Sequence, residues 1–231
     1  MVKKPILLVF GGSSAIVEEL LKYFKKKYQI YVFYNKNVPK KNRNIKEKIK
    51  LNLFSDKELL SKIRKINFNN SKIVIVNFAS IKIDKISLFI NQQDIKRTFQ
   101  INTFSFLKIL QILLPTMMKL RWGRVINISS TGGLVGDKGT LLYSSSKNAT
   151  HSMIKVMSKE YAAFNITFNT LKLGNFNFGL FKLLKKEVKE EILKKVPSHK
   201  TGNVKNIYNA IKFLIESDYV NGSSIKIDGG L

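Results

Sequence analysis

Short apolar runs alternate with longer amphipathic segments along nearly all of this chain, and that rhythm leaves few folds open. Strands joined by crossover helices require it, because each strand is then covered on both faces while each helix buries only one stripe. The apolar runs predict strands at 5–10, 29–34, 49–53, 72–77, 125–128, 166–171 and 224–228. Between them, periodicity predicts helices at 14–27, 56–66 with Asp56 as its cap, 94–120, 143–164 and 204–216. Seven largely parallel strands with helices on both faces make an α/β, doubly wound sheet, which binds ligands at the carboxyl ends of its strands. A length of 231 residues, with no linker-like stretch and no internal repeat, predicts one domain over 1–231.

Composition excludes several classes. Cysteine is absent, which removes disulfides and thiolate metal sites. His151 and His199 have no partner pattern, so no metal is expected. The run at 5–10 is too short for the apolar region of a signal peptide. Lys108 and Gln111 interrupt the best candidate for a membrane span, and Pro115 closes it. A soluble cytoplasmic protein is expected. The net charge is +26, with lysine far ahead of arginine and with Ile, Asn and Phe abundant. All four residue types have A/T-rich codons, so base composition accounts for the balance and nucleic acid is not the expected partner. Such a surface still attracts anionic ligands.

Chemistry concentrates around Tyr143. Tyr143 and Lys147 stand four residues apart, thirteen residues after Ser130. On a helix, four residues place both side chains on one face. An apolar strand ending in serine, then a glycine-rich loop, then that helix can bring a hydroxyl, a phenol and an ammonium together. A free tyrosine titrates near pH 10. A neighbouring lysine cation favours the phenolate, and a serine hydroxyl can hold a substrate oxygen for proton transfer.

Together with these residues, the serine strand Gly123-Arg124-Val125-Ile126-Asn127-Ile128-Ser129-Ser130, Asn102 in Gln100-Ile101-Asn102-Thr103, and the ending Ile225-Lys226-Ile227-Asp228-Gly229-Gly230 resemble the short-chain dehydrogenase/reductase family. The stretch Pro197-Ser198-His199-Lys200-Thr201-Gly202 resembles the segment before that family's last helix. The resemblance implies a Rossmann-type sheet and hydride transfer between a nicotinamide and a carbonyl or alcohol. It implies Tyr143 as acid/base, Lys147 as its tuner and holder of the nicotinamide ribose, Ser130 orienting substrate, and Asn102 bending its helix and serving a water-mediated proton relay. It further implies a homodimer or homotetramer paired through the long helices.

The cofactor turn departs from the family. Where Thr-Gly-x-x-x-Gly-x-Gly is usual, the chain has Phe10-Gly11-Gly12-Ser13-Ser14-Ala15-Ile16-Val17. Gly11 survives; Ala15 and Val17 replace glycines, and valine at a helix-packing position is the worse change. Gly12, Ser13 and Ser14 can still supply backbone amides and hydroxyls to phosphate, and Gly11, Ser13, Ser14 and Ile16 are the cofactor residues expected in this turn. Asn77 and Ala79 resemble the family's Asn-Asn-Ala-Gly, and Asn52 and Leu53 stand where the adenine is met. Asn35 and Lys36 follow the second strand with no acidic residue, which favours NADP(H) over NAD(H). After the sixth strand only Gly174 of the usual Pro-Gly remains, with Phe176 and Asn177 beyond it.

Residues 179–196 fall where the family places a substrate lid. Leu180, Phe181, Leu183 and Leu184 give that segment an apolar face among lysines. It suits a substrate with an anionic handle, such as a nucleotide sugar or a carrier-bound 3-oxoacyl group, and equally a surface helix covering its own core. The departures also keep open a non-catalytic binding or regulatory protein on the same fold, with a degraded cofactor loop.

Overall fold

A computed structural model describes residues 3–24, 27–131 and 136–231. Its seven strands form one parallel sheet in the order β3-β2-β1-β4-β5-β6-β7. They are β1 (Ile6–Phe10), β2 (Gln29–Tyr34), β3 (Ile45–Lys50), β4 (Ile73–Asn77), β5 (Gly123–Ser130), β6 (Ile166–Leu173) and β7 (Ser224–Ile227). The helices are α1 (Ala15–Leu20), α2 (Asp56–Arg64), α3 (Gln92–Phe99), α4 (Ser105–Leu120), α5 (Leu141–Glu160), α6 (Gly179–Leu183), α7 (Lys186–Lys194) and α8 (Val204–Glu216).

Side chains alternate across each strand, so one sequence feeds two cores. Ile6, Leu8 and Phe10 of β1 join Leu59 of α2, Phe106 and Leu113 of α4 and Ile154 of α5 on one face. Leu7 and Val9 join Val17 of α1 and Ile207 and Ile211 of α8 on the other. Both faces are covered, as a parallel sheet demands. The chain reverses direction in the strand order between β1 and β4, and the two strands carry their carboxyl ends to the same edge.

Several boundaries differ from expectation. The helix expected over 14–27 stops at Leu20, and the following turn packs Tyr23 and Phe24 against Tyr208 of α8; residues 25 and 26 lie outside those described. Strand β3 occupies Ile45–Lys50 rather than 49–53. Its charged residues hid it: an edge strand needs cover on part of its surface only, and lysine blunts such an edge. Helix α2 is capped by Ser55, whose side chain accepts from the Glu58 N–H, rather than by Asp56. The long helix begins at Gln92 under an Asn91–Asp94 capping box. It is interrupted by a π-helical turn, Gln100–Phe104, that contains Asn102, and it ends at left-handed Arg121. By length and composition, Gln92–Leu120 is long and apolar enough to cross a bilayer. Its apolar residues Phe106, Ile109, Leu110 and Leu113 are instead buried against the sheet.

Candidate active site

Strand β5 delivers Ser130 at its carboxyl end, and α5 begins eleven residues later with Tyr143 in its first turn. Residues 132–135 of the intervening glycine-rich loop lie outside those described. Ser130 acts on the Tyr143 phenol and favours its ionised form. Lys147 is buried, donates from Nζ to the Ile128 carbonyl at 3.0 Å, and sits 5.7 Å from the Tyr143 ring centroid. Three of the four expected catalytic residues therefore converge.

Burial dominates their electrostatics. It pushes the Tyr143 phenol above its usual range, and Ser130 opposes that only in part. This departs from the expected lowering by Lys147, because desolvation of the buried phenol is the larger effect. Burial also brings Lys147 from 10.5 down to about 8. At neutral pH Tyr143 keeps its proton, so the group is ready to donate one to an incoming oxygen.

The fourth residue, Asn102, is buried and its amide is fully occupied. Its Oδ1 accepts from the Ile81 N–H at 2.8 Å, and its Nδ2 donates to the Ile81 carbonyl and to Ser146 Oγ, each at 2.9 Å. The side chain thus holds the chain after β4 and the Tyr143 helix together.

A cleft of about 380 Å³ opens at the carboxyl ends of β1, β2 and β4. Gly11, Ser13, Ser14, Asn35, Leu53 and Ala79 line it, as expected of cofactor residues. Phe10 and Phe33 line it too, with rings stacked at 4.3 Å, as do Phe54, Ile81 and Ile101. Sequence analysis missed these apolar walls. The pairing of Phe10 with Phe33 between adjacent strand ends was the signal available.

The other expected cofactor residues lie elsewhere. Lys36 is exposed beside Asn35, and Ile16 packs on the second core. Asn52 turns its Oδ1 back to the Phe54 N–H at 3.1 Å, so that oxygen is already engaged. Asn77 is buried and bonds Asn127 and the Ala79 N–H, shaping the cleft wall from behind. Gly174 abuts Asp228, where an added Cβ would come within 2.6 Å of the aspartate Cα. Phe176 lies under Gly202, with which it forms a β-bridge.

The residues present fit a dinucleotide at its nucleoside end. Gly11 has φ +88°, and a Cβ there would stand 2.7 Å from the Ala79 N, so the backbone turn stays bare. Ser14 caps α1 without spending its side chain. Among the described residues, no carboxylate lines the cleft. Ala15 is exposed and Val17 is fully buried in the second core, so neither replacement faces the cleft.

Comparison with known proteins agrees with this architecture. The short chain dehydrogenase family profile matches residues 5–189, and the chain belongs to that family. A relative, the 3-oxoacyl-[acyl-carrier-protein] reductase FabG of Aquifex aeolicus, is 28% identical over 186 residues, covering 79% of this chain and 75% of that one. The reductase of the same name from Haemophilus influenzae is 32% identical over 160 residues, covering 68% and 66%. Among solved structures, ElxO with NADP bound superposes with a TM-score of 0.85 at 22% identity over 98% of both chains. The protein is an NAD(P)-dependent short-chain oxidoreductase of small-molecule alcohol or carbonyl groups.

Proposed function

We propose that this enzyme is an NADPH-dependent carbonyl reductase, with 3-oxoacyl compounds as the substrate class and Tyr143 as the proton donor. The observation that carries it is Lys147 buried beside the Tyr143 ring in the first turns of α5, just past Ser130 at the carboxyl end of β5. Ser130 orients the substrate oxygen beside the phenol. Tyr143 passes its proton to that oxygen as negative charge develops there. Lys147 stabilises the phenolate left behind, since opposite charges attract most in a buried site. Asn102 keeps the Tyr143 helix against the cleft wall.

Gly11, Ser13, Ser14, Asn35, Leu53 and Ala79 would hold NADP(H), with exposed Lys36 beside Asn35. When bound, its nicotinamide supplies the hydride. Asn35 and exposed Lys36, with no carboxylate among the described residues lining the cleft, favour a 2′-phosphate over bare ribose hydroxyls. The 3-oxoacyl class is supported by the names of the relatives, and the lysines of 182–195 suit an anionic carrier. Exposed Ile95 and Phe104 on the long helix, with Leu141 and Val156 on α5, support two-fold pairing into a homodimer or homotetramer. A soluble cytoplasmic enzyme is consistent with the core position of Gln92–Leu120.

Tyr143→Phe tests the reading. NADPH-dependent reduction of a 3-oxoacyl thioester should fall at least a hundredfold while NADPH affinity stays within about twofold. Affinity is best read from NADPH emission, because the single tryptophan, Trp122, stands at the opposite end of the sheet beside Gly123. Full turnover by the variant would end the assignment.

A further inference from the structure

Two separate chains of buried hydrogen bonds run from the wall of the cofactor cleft to the helix that bears Tyr143 and Lys147. In the first, the Ile81 N–H and carbonyl grip the Asn102 amide, which donates to Ser146 Oγ at 2.9 Å. Ser146 in turn donates to the Tyr143 carbonyl at 2.8 Å. In the second, the Ala79 N–H donates to Asn77 Oδ1 at 3.2 Å, and Asn77 Nδ2 donates to Asn127 Oδ1 at 3.0 Å. Asn127 Nδ2 then donates to Thr150 Oγ1 at 3.3 Å, and Thr150 donates to the Lys147 carbonyl at 2.8 Å.

The symmetry of the two endings is informative. Each chain closes on the backbone carbonyl of one member of the Tyr-Lys pair, through a hydroxyl three residues further along α5. Each begins at a residue, Ile81 or Ala79, that lines the cleft. Ser146 is wholly buried, and Thr150, Asn102 and Asn127 are each about 1% exposed or less. A buried donor or acceptor that loses its partner keeps its full desolvation cost, so such chains hold one geometry rather than many.

We propose that Ser146 and Thr150 are positioning residues that tie the cleft wall to Tyr143 and Lys147, so that the cofactor's binding surface and the acid/base pair are set together. The proposal deepens the function proposed above and rests on its assignment of that pair. Neither hydroxyl touches the reacting atoms; each acts through a carbonyl of its own helix. Asn127 and Asn77 transmit the second tie, which makes the buried amide pair part of the site.

Thr150→Val keeps the shape of the side chain and deletes its donor, and Ser146→Ala does the same for the other chain with less volume at stake. The first readout is amide hydrogen exchange in the cofactor-free protein. Thr150→Val should speed exchange at Ala79, seventy-one residues away, by about tenfold or more, and Ser146→Ala should do so at Ile81, with β4 itself unchanged. The second readout is kinetic. Misplacement near 1 Å can cost about a hundredfold in turnover, so a fall in kcat of about tenfold is expected, with a displaced basic limb in the pH profile. Thr150→Ser, which retains the hydroxyl, should rescue both.

Unchanged exchange at Ala79 and Ile81 in both variants would overturn the proposal, whatever happens to Tm. So would altered exchange with kcat and pH profile equal to the parent. If Thr150→Val does not fold, Ser146→Ala and Thr150→Ser decide by the same two readouts. A fully active Tyr143→Phe enzyme would instead strike the catalytic assignment, while the exchange result still reports the ties.

Discussion

The two halves of the site are built on opposite principles. At the start of α5, side chains do the work: Ser130 meets the phenol, Lys147 is buried against a strand carbonyl, and two hydrogen-bonded chains hold the helix from behind. At the turn after β1, backbone does the work. Gly11 presses its bare Cα on the chain after β4, Ser14 has no side-chain bond to α1, and α1 lasts only six residues. A site half that depends on side-chain chemistry must keep its residues. A half that depends on the path of the backbone can change residues wherever the path survives, and Ala15 and Val17 are such changes.

Four substitutions can break or sharpen that contrast. Lys147→Met should have the largest effect, lowering turnover at least a hundredfold while raising stability. The sign follows from linkage. Its folded pKa of about 8 lies below the ordinary 10.5, so the unfolded chain binds the proton more tightly. Stability attached to this group is complete above about 10.5 and is lost as pH falls through about 8. At ~1.4 kcal/mol per pH unit, the burdened cation costs about 3 kcal/mol at neutral pH, which the methionine removes. Denaturant melts of both proteins at pH 7 and pH 10 check this; the gap between them should narrow at the higher pH.

Gly11→Ala comes next. A left-handed φ and a Cβ pressed on the Ala79 backbone should weaken NADPH about tenfold or more and lower stability by roughly 1–3 kcal/mol. Restoring the family's glycine with Val17→Gly should do harm rather than good. Val17 is completely buried in the second core, so the loss should be roughly 2–3 kcal/mol by thermal or denaturant unfolding, with NADPH affinity little changed. Ala15→Gly should have the smallest effect, near 1 kcal/mol or less, since the methyl is exposed and faces away from the cleft. A large gain in NADPH affinity from either glycine would show that the turn is impaired rather than merely different.

Legibility in the sequence followed the same divide. Strands buried on both faces, such as β1, β2 and β4, were plain because continuous apolar runs have no other use in a soluble sheet. Edge strand β3 was misplaced because half of it faces water and carries charge. Tyr143, Lys147 and Ser130 were legible through spacing along a strand and a helix. Phe10 and Phe33 were not, because a cleft wall and a core position look alike until neighbouring strand ends are set side by side. Asn52 drew attention for its place after a strand, yet local geometry turned its oxygen to the Phe54 amide. Asn127 and Thr150 gave no sign at all, since a hydrogen bond across twenty-three residues has no period to detect.

By itself, the order of residues determined the alternation of strand and helix, the spacing of Tyr143 and Lys147 on one helix and the absence of thiol chemistry, because these depend on local spacing and composition. Only the folded chain decided which amides face each other, how deeply Lys147 is submerged, and that Val17 faces the interior of the protein rather than a bound dinucleotide. The physical reason is that desolvation and buried hydrogen bonds are set by neighbours distant along the chain, and no local pattern encodes their meeting.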